Sequence, residues 1–426
     1  MHWRHPSAAE TTGSGTTMGD DVTIEHPPFP APRACPFGGG NGQAAGPDAR
    51  PDAGPPLRRV TLPTGATAWV VTGHERVRRL LADPRVSADR RRPGFPHLAP
   101  VPVGNPPDEM LPMVTLDPPE HTAHRRMFVN EFTVRRMRLL RPRIQTYVDA
   151  CVDDLLAGDR PADLVQAISV PVPSMAVCEL LGVPYEDRDF FKSRTRTLLD
   201  RSNSAEDMRA GFGELLGYFD KLITAKEEDP GDDLLGRAIV KYREAGRHHH
   251  GYMVNTALML LNAGHETTTN MISLAVVALL ENPEQLAELR ANPALTAHAV
   301  EELLRYFSVV DLTVGRVATA DIELDGETIR AGEGVIAQPS SANLDADVFA
   351  DPYRIDIHRE EARRHVAFGH GSHNCLGQNL AREELEIVIN TLFARIPDLR
   401  LAKPADELSF KDGEQVYGIH EVPVTW

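Results

Sequence analysis

A long apolar stretch at residues 252–280 has the spacing of a single helix, and this pattern ends at Asn282-Pro283. The sequence Ala-Gly-His-Glu-Thr-Thr at 263–268 interrupts the stretch and reduces helix stability there. The flanking residues are apolar, which favours an interior position for Glu266 over the alternative of a solvent-facing acid. The zinc motif His-Glu-x-x-His is excluded because Thr269 stands where its second histidine is needed. The sequence therefore predicts a long interior helix with a functional polar break.

The whole chain predicts a mainly α fold with small β-sheets. Strands are expected at 58–62 and 67–72, in short hairpins at 316–338 and at 410–424, and helices at 75–82, across 120–233, at 296–307 and at 376–393. Residues 83–113 predict a long irregular loop. Residues 55–426 are expected to form a single domain after a flexible Pro/Gly-rich tail at 1–54. This tail lacks the apolar segment of a secretory signal, and Met18 is an alternative start.

Composition and charge exclude several functional classes. The 426 residues carry a formal net charge of −16, which disfavours binding to nucleic acids and to anionic membranes. Four cysteines are too few for a disulfide framework in so long a chain. The apolar runs are shorter than the roughly 18 residues that span a bilayer. We therefore expect a soluble cytoplasmic protein that binds neither nucleic acid nor membrane.

A glycine-rich loop at 368–377 reads Phe-Gly-His-Gly-Ser-His-Asn-Cys-Leu-Gly and precedes a predicted helix. A thiolate at Cys375 would be stabilised there by backbone N–H groups and by the positive end of the helix dipole. Two alternatives stand beside this interpretation. The cysteine can be a buried structural residue, or it can join His365, His370 and His373 in a zinc site of irregular spacing.

Two further charged segments are weaker signals on their own. Glu302-x-x-Arg305 places an acid and a base on one face of a predicted helix, as many exposed helices do. Residues 117–126 are dense in basic side chains, and arginines at 135, 136 and 138 continue the run. The usual explanation of such a run is a solvated charged face. Neither segment identifies a function alone.

In this order and spacing, the motifs resemble those of the cytochrome P450 haem-thiolate monooxygenases over nearly everything after residue 55. The resemblance rests on Phe-x-x-Gly-x-x-x-Cys-x-Gly at 368–377, Ala-Gly-x-Glu-Thr at 263–267 and Glu-x-x-Arg at 302–305, with Asp-Pro-Pro-Glu-His at 117–121 and Ser-Ala-Asn at 341–343. The chain is similar to the soluble actinobacterial, Streptomyces-type branch that oxidises antibiotics, macrolides and xenobiotics. The resemblance implies the cytochrome P450 fold, with haem buried between the long central helix and the cysteine-loop helix.

The resemblance also implies haem b (heme b) as the cofactor, with Cys375 as the axial iron ligand. The implied cofactor-binding residues are His121, Arg125, Ala263, Gly264, Arg316, Phe368, His373, Cys375 and Gly377. Those expected to hold the haem propionates are His121, Arg125, Arg316 and His373. Gly264 is expected to leave a groove for dioxygen, and Glu266 and Thr267 are the implied catalytic pair that delivers protons.

Glu302 and Arg305 are implied to form a buried ion pair that supports the loop before Cys375, together with a third residue. The candidates for this third partner are Arg354, Arg359 and His365. Two residues depart from the family pattern, because Leu344 replaces the arginine of Ala-Asn-Arg-Asp and Asn374 is polar where an apolar residue is common. The first leaves the usual partner of that arginine unsupported, and the second is expected to tune the thiolate.

The implied function is hydroxylation or epoxidation of a hydrophobic small molecule, either a secondary metabolite or a xenobiotic. The reaction would use O2 and electrons from NAD(P)H, delivered by a ferredoxin reductase and a ferredoxin to a monomeric enzyme. Substrate contacts are expected at 88–113, Leu260, Ala263, 309–314 and Val416–Tyr417, and ferredoxin docking at Arg126, Arg135, Arg136, Arg363 and Arg364. The alternatives are a non-catalytic haem sensor and a coupling, nitration or peroxygenase reaction, which the presence of Glu266 and Thr267 disfavours.

Overall fold

The structure is a computed structural model of the chain, and it describes residues 36–37, 54–98, 111–187, 190–191, 193–194, 204–311, 314–412 and 414–426. Nearly all of the predicted tail at 1–54 lies outside these residues. The same holds for residues 99–110 of the predicted loop and for residues 312 and 313 of the expected substrate contacts.

Helices make up most of the described part of the chain, as the sequence predicts. They are α1 (His74–Ala82), α2 (Glu120–Phe128), α3 (Val134–Ala157), α4 (Pro171–Leu181), α5 (Ala205–Glu228), α6 (Leu234–Glu244), α7 (His250–Leu280), α8 (Pro283–Ala291), α9 (Thr296–Phe307), α10 (Pro339–Asn343) and α11 (Gln378–Arg395). The helical region predicted across 120–233 divides into several helices, with a π-helical segment at Val165–Ser169 before α4. None of the described helices is long and apolar enough to cross a lipid bilayer.

The long helix α7 begins and ends at positions that its sequence explains. The imidazole of His249 accepts a hydrogen bond from the backbone N–H of Tyr252 at 3.3 Å and caps the first turn. Asn282 follows the last turn, and Pro283 opens α8, where its missing N–H has no helical partner to lose. The predicted end of the long helix is therefore confirmed.

The strands form three small sheets. They are β1 (Leu57–Thr61), β2 (Thr67–Val71), β3 (Val86–Ser87), β4 (Ala162–Asp163), β5 (Gly315–Ala318), β6 (Ile322–Leu324), β7 (Glu327–Ile329), β8 (Gly334–Ala337), β9 (Arg400–Leu401) and β10 (Pro423–Thr425). The largest sheet has the order β1-β2-β8-β5-β3, the second β4-β10-β9, and β6 pairs with β7. The hairpin prediction for 316–338 is right for β6 and β7, whose turn has Asp325 and Gly326 at positive φ. It is wrong for β5 and β8, which pair with each other inside the largest sheet.

The long helix runs through the main apolar core. Residues 268–279 are all buried, and α7 packs against α4, α5 and α11. A second buried cluster lies between the largest sheet and α1. Because α11 begins just after the glycine-rich loop, its packing on α7 holds that loop against the core. The prediction of an interior position for the long helix is confirmed.

Pro36 and Phe37, which lie within the predicted flexible tail, are packed on the core instead. The Phe37 side chain is buried, and its ring centre lies 6.1 Å from those of both Phe307 and Phe410. The hydroxyl of Tyr306 donates a hydrogen bond to the carbonyl of Pro36 at 3.4 Å. A buried aromatic side chain anchors this part of the segment on the core, since its apolar surface gains from leaving water.

Candidate active site

The loop at 368–377 is closed by its own hydrogen bonds. The backbone N–H of Cys375 donates to the carbonyl of Phe368 at 2.8 Å. The side-chain amide of Asn374 donates to the carbonyls of Phe368 and Gly369 at 3.3 and 3.2 Å. Asn374, a departure from the family pattern, therefore helps to fix the loop that carries the cysteine.

The electrostatic environment of Cys375 combines burial with positive potential. Burial raises the pKa of the thiol, because a buried thiolate loses its hydration. The backbone N–H groups of Gly377 and Gln378 and the guanidinium groups of Arg125 and Arg382 act in the opposite direction. These donors and charges are the surroundings that a thiolate ligand of a metal requires.

The zinc alternative for this loop is wrong. Among the residues that the structure describes, no group of three or more His, Cys, Asp or Glu side chains is placed to hold a metal ion. His365 is instead engaged with Glu301, and the ring of His373 lies against the ring of His121. Cys375 is therefore not one of a set of four zinc-binding side chains among the described residues.

A buried acid that the sequence analysis missed, Glu301, ties the loop to two helices. His365 Nε2 lies 3.0 Å from one carboxylate oxygen, and Arg382 donates to the carboxylate at 2.8 and 3.1 Å. Burial raises the pKa of Glu301, but hydrogen bonds from His365 and Arg382 outweigh it and lower the pKa to about 2. The Arg382 guanidinium also lies 4.6 Å from the ring centre of Phe368. The only sequence signal for Glu301 is its place beside Glu302.

The middle of α7 presents the polar break that the sequence predicts. Asn262 and Ala263 are exposed, and Glu266 and Thr267 are half-buried, in contrast to the buried turns that follow. The Thr267 hydroxyl donates to the carbonyl of Ala263 at 2.8 Å. Because the hydroxyl oxygen keeps its lone pairs, it can still accept a hydrogen bond from a ligand.

Glu266 and its neighbour His265 have different surroundings. Burial raises the pKa of Glu266 above its usual range, while the charge of Lys411 lowers it and that of Glu414 raises it further. A carboxyl of this kind keeps its proton to higher pH than an exposed one. His265 Nε2 lies 3.1 Å from the carbonyl of Val170, and burial lowers the pKa of its ring to about 4. His265 is therefore a neutral packing residue.

The missing side chain of Gly264 makes room for a neighbouring helix. A Cβ built at this position would lie 2.8 Å from a methyl carbon of Val177 in α4. The missing side chain therefore lets α4 and α7 approach each other closely. The structure therefore gives Gly264 a role in helix packing, and the groove for dioxygen at this position stays a prediction.

Four basic side chains converge from separate segments. His121 and Arg125 lie on α2, Arg316 on β5 and His373 in the cysteine loop, with 4.0 Å between the two imidazole centres. Burial is the main cause that lowers the pKa of His121 to about 4 and that of His373 to about 3, and the positive charges of nearby arginines add to it. Burial lowers the pKa of Arg316 to about 10, so this guanidinium stays charged.

This basic group is short of negative charge. His121 Nδ1 is buried and has no hydrogen-bond partner among the described residues. Asp117 is a carboxylate whose field acts on both His121 and Arg316. One carboxylate does not balance the two half-buried guanidinium groups of Arg125 and Arg316, so the group can hold an anionic cofactor that carries carboxylates. A solvated face is the wrong interpretation for His121 and Arg125.

The buried ion pair of the sequence analysis is part of a three-residue cluster. Arg305 donates to the Glu302 carboxylate at 2.7 and 2.8 Å, and Arg359 donates to both of its oxygens at 3.1 Å. Arg359 is therefore the third partner. Arg354 is largely exposed and lies 3.5 Å from Asp356. Arg305 also donates to the carbonyls of Asn343 and Pro352, each at 2.8 Å, which ties the preceding loop to α9.

The departure at Leu344 has a packing explanation. Leu344 is half-buried against the main core instead of presenting a charge. Its neighbour Asn343 keeps a complete set of bonds, because it donates to Ser308 and accepts from the backbone N–H of Val366, both at 2.7 Å. Asp345 accepts from the backbone N–H of His74 at 2.8 Å. The segment is therefore held without the usual arginine.

The residues expected to dock ferredoxin and those expected to contact substrate are also described by the structure. Arg126, Arg135, Arg363 and Arg364 are exposed, whereas Arg136 pairs with the buried carboxylate of Glu131 at 3.4 Å. Among the access positions, Val310 pairs with Val416 in a β-bridge, and the N–H of Tyr417 donates to Val309 at 2.8 Å. The two expected contact segments thus lie side by side.

Comparison with known proteins identifies the family. The family model "Cytochrome P450" matches residues 221–396. Cytochrome P450 105A3 of Streptomyces carbophilus is 48% identical over 98% of this chain and all of its own length. Vitamin D3 dihydroxylase of Streptomyces griseolus is 47% identical, over 95% of this chain and 98% of its own.

Solved structures give the same result for the fold. The crystal structure of cytochrome P450 MoxA from Nonomuraea recticatena matches with a TM-score of 0.87 and 51% identity, over 94% of this chain and 98% of that one. These matches confirm the resemblance to the Streptomyces-type branch and the predicted fold class. The chain therefore belongs to the cytochrome P450 family, which implies a haem-thiolate cofactor, and it is a P450 monooxygenase.

Proposed function

We propose that Cys375 ligates the iron of haem b and that His121, Arg125, Arg316 and His373 bind the haem carboxylates. The observation that carries this proposal is the pair of half-buried arginines beside the cysteine loop, together with the buried nitrogen of His121, which has no partner among the described residues. Phe368, Ala263 and Gly377 line the same pocket in this proposal. When bound, a haem with a thiolate ligand supplies the activation of dioxygen for insertion of one oxygen atom into the substrate.

The protein's own contribution to this reaction is proton delivery. Partial burial raises the pKa of Glu266, which suits a proton donor, and Thr267 presents a hydroxyl at the next position of the helix. An acid followed by an alcohol can pass a proton inward and be reloaded from the solvent side. We assign Glu266 and Thr267 as the catalytic pair.

The substrate in this proposal is a hydrophobic small molecule that is hydroxylated or epoxidised. Its contacts would come from Leu260, Val309 and the Val416–Tyr417 segment, all of them mainly apolar. The relatives support this class by their printed names, which include a vitamin D3 dihydroxylase, a pentalenic acid synthase and a mycinamicin VIII C21 methyl hydroxylase.

A substrate screen with isotopic labelling tests the proposed reaction. A library of hydrophobic natural products is added to the holoprotein, and compounds that shift the haem spin state are then turned over with labelled dioxygen. We expect the product to carry one labelled oxygen atom on a carbon of the substrate. Products without label, or products formed equally well without dioxygen, would contradict a monooxygenase reaction on this substrate class.

The electron donor in this proposal is an acidic ferredoxin, reduced by NAD(P)H through its reductase, that docks on a monomer. Arg126 and Arg364 are exposed cations on a chain with a net charge of −16, so an acidic partner has a defined place to approach. We expect ferredoxin-driven turnover to fall as salt is added, because surface charges are screened beyond about 10 Å at 0.1 M salt.

Neutralised variants test this docking surface. The Arg126→Gln, Arg364→Gln double variant is expected to turn over more slowly at low salt and to lose most of the salt dependence. Arg136→Gln serves as the matched control, since that arginine already pairs with Glu131 and should respond like the unchanged protein. A flat salt response of the unchanged protein, or an equal loss in the control, would count against docking here.

A further inference from the structure

Two C-terminal segments, residues 409–412 and 414–420, lie over the face of α7 that carries Glu266; we call them the C-terminal cover. They pair through the bridge of Phe410 with Ile419 and through the bond from the N–H of Lys411 to the carbonyl of Gly418 at 2.9 Å. Asn270 follows Glu266 by one helical turn and so shares its face. A Cβ on Gly418 would lie 2.0 Å from the Asn270 side-chain oxygen, so the cover rests directly on this face.

The cover brings two opposite charges to Glu266. Lys411, whose side chain is buried, and Glu414 are the charged groups of this cover whose fields act on the Glu266 carboxyl. On the helix itself, the neighbouring His265 is neutral and engaged with Val170. The Glu266 carboxyl is thus subject to the field of Lys411, which favours its carboxylate form, and to that of Glu414, which favours its acid form.

The cover also reaches solvent near the half-buried carboxyl of Glu266. Glu414 lies 3.3 Å from the His420 imidazole, and both side chains are partly exposed. The amide nitrogen and oxygen of Asn270 are buried and have no partner among the described protein atoms. Buried amides of this kind are commonly satisfied by ordered water, and water beside Asn270 would bridge Glu414 to Glu266.

We propose that the C-terminal cover, which rests on the Glu266 face of the long helix through Gly418 and Asn270, is the solvent-side arm of the proton path. This inference rests on the proposed role of Glu266 as proton carrier. In each cycle, the O–H bond of Glu266 breaks as its proton passes to the Thr267 hydroxyl oxygen, and that hydroxyl releases its own proton toward the reaction site. A new O–H bond forms with a proton taken through water from the Glu414–His420 side. Lys411 and Glu414 are positioning residues that act through Glu266.

Two substitutions with opposite expected signs test the proposal in the purified holoprotein. The protonated carboxyl of Glu266 is followed by infrared difference spectroscopy against pH, and its band is assigned by its loss in Glu266→Gln. Lys411→Met should move the titration midpoint upward and Glu414→Gln downward, each by on the order of one pH unit. Lys411→Arg should restore the original midpoint. Lys221→Met, at an exposed site on α5, is the matched control and should leave it unchanged.

Midpoint shifts in the same direction, or no shift in either variant, would overturn the inference. A merely structural role of the cover predicts no pair of shifts with opposite signs. The ratio of product formed to NADH consumed separates this result from the proposed function. If Thr267→Ala leaves that ratio unchanged, the relay fails while opposed infrared shifts still support the electrostatic role of the cover. If Thr267→Ala lowers the ratio and the midpoints do not move, the inference about the cover fails alone.

Discussion

Glu302→Gln is expected to abolish accumulation of the folded haem protein. The carboxylate of Glu302 accepts from Arg305, from Arg359 and from the backbone N–H of Asp356, and both arginine side chains are buried. Removing its charge leaves two guanidinium groups buried without a counter-ion, and breaking a buried pair in this way costs about 3–5 kcal/mol. Since whole domains are stable by only about 5–15 kcal/mol, this loss takes much of the folding free energy.

The measurement is the yield of haem-loaded protein and its denaturation midpoint, for Arg359→Leu as well as Glu302→Gln. Arg354→Leu is the matched control, because that side chain lies close in sequence but is largely exposed, 3.5 Å from Asp356. Exposed pairs of this kind contribute about 0–1 kcal/mol, so we expect near-normal yield. Equal losses for Arg354→Leu and Arg359→Leu would contradict the assignment of Arg359 as the third member of the cluster.

Thr267→Ala is expected to separate electron consumption from product formation. The substitution removes the hydroxyl that donates to Ala263 at 2.8 Å and that we assign to the proton path. A positioned proton donor contributes about 10²–10⁴-fold to a rate, so product formation should fall strongly while NADH is still consumed and reduced oxygen species are released. The measurement is the ratio of product to NADH under saturating redox partners.

Thr267→Ser is the control for this prediction, because it keeps the hydroxyl and removes only a methyl group. We expect it to retain most of the ratio of product to NADH. Comparable ratios in the alanine variant and the unchanged protein would remove Thr267 from the mechanism. An equal loss in the serine variant would assign the effect to packing in α7 instead of to the hydroxyl.

The sequence motifs predicted more of the candidate site than of the detailed fold. Spacing within one loop or helix is local, so Cys375 and the Glu302-x-x-Arg305 pair could be recognised in the sequence itself. The sequence could not decide whether Arg359 or Arg354 is the third partner of the Glu302–Arg305 pair. That choice depends on which side chain of the loop before the cysteine points into the core. Glu301 was missed for a similar reason, since neighbouring residues on a helix point about 100° apart and can meet different partners.

Tertiary packing explains the remaining differences. Gly264 lies in a recognised motif, yet the position of Val177 on another helix decides what its missing side chain accommodates. Phe37 lies in a Pro/Gly-rich segment and is buried because aromatic partners from residues 307 and 410 meet it. The pairing of β5 with β8 also joins strands across an intervening hairpin, which turn residues alone do not indicate.

The ligation of haem iron by Cys375 is tested most directly by the absorption spectrum of the reduced carbon monoxide adduct. We predict a Soret band strongly shifted to the red in the unchanged protein, as thiolate donation requires, and its loss in Cys375→Ser. An imidazole-type spectrum of the unchanged protein, or a red-shifted band that persists in Cys375→Ser, would contradict this account.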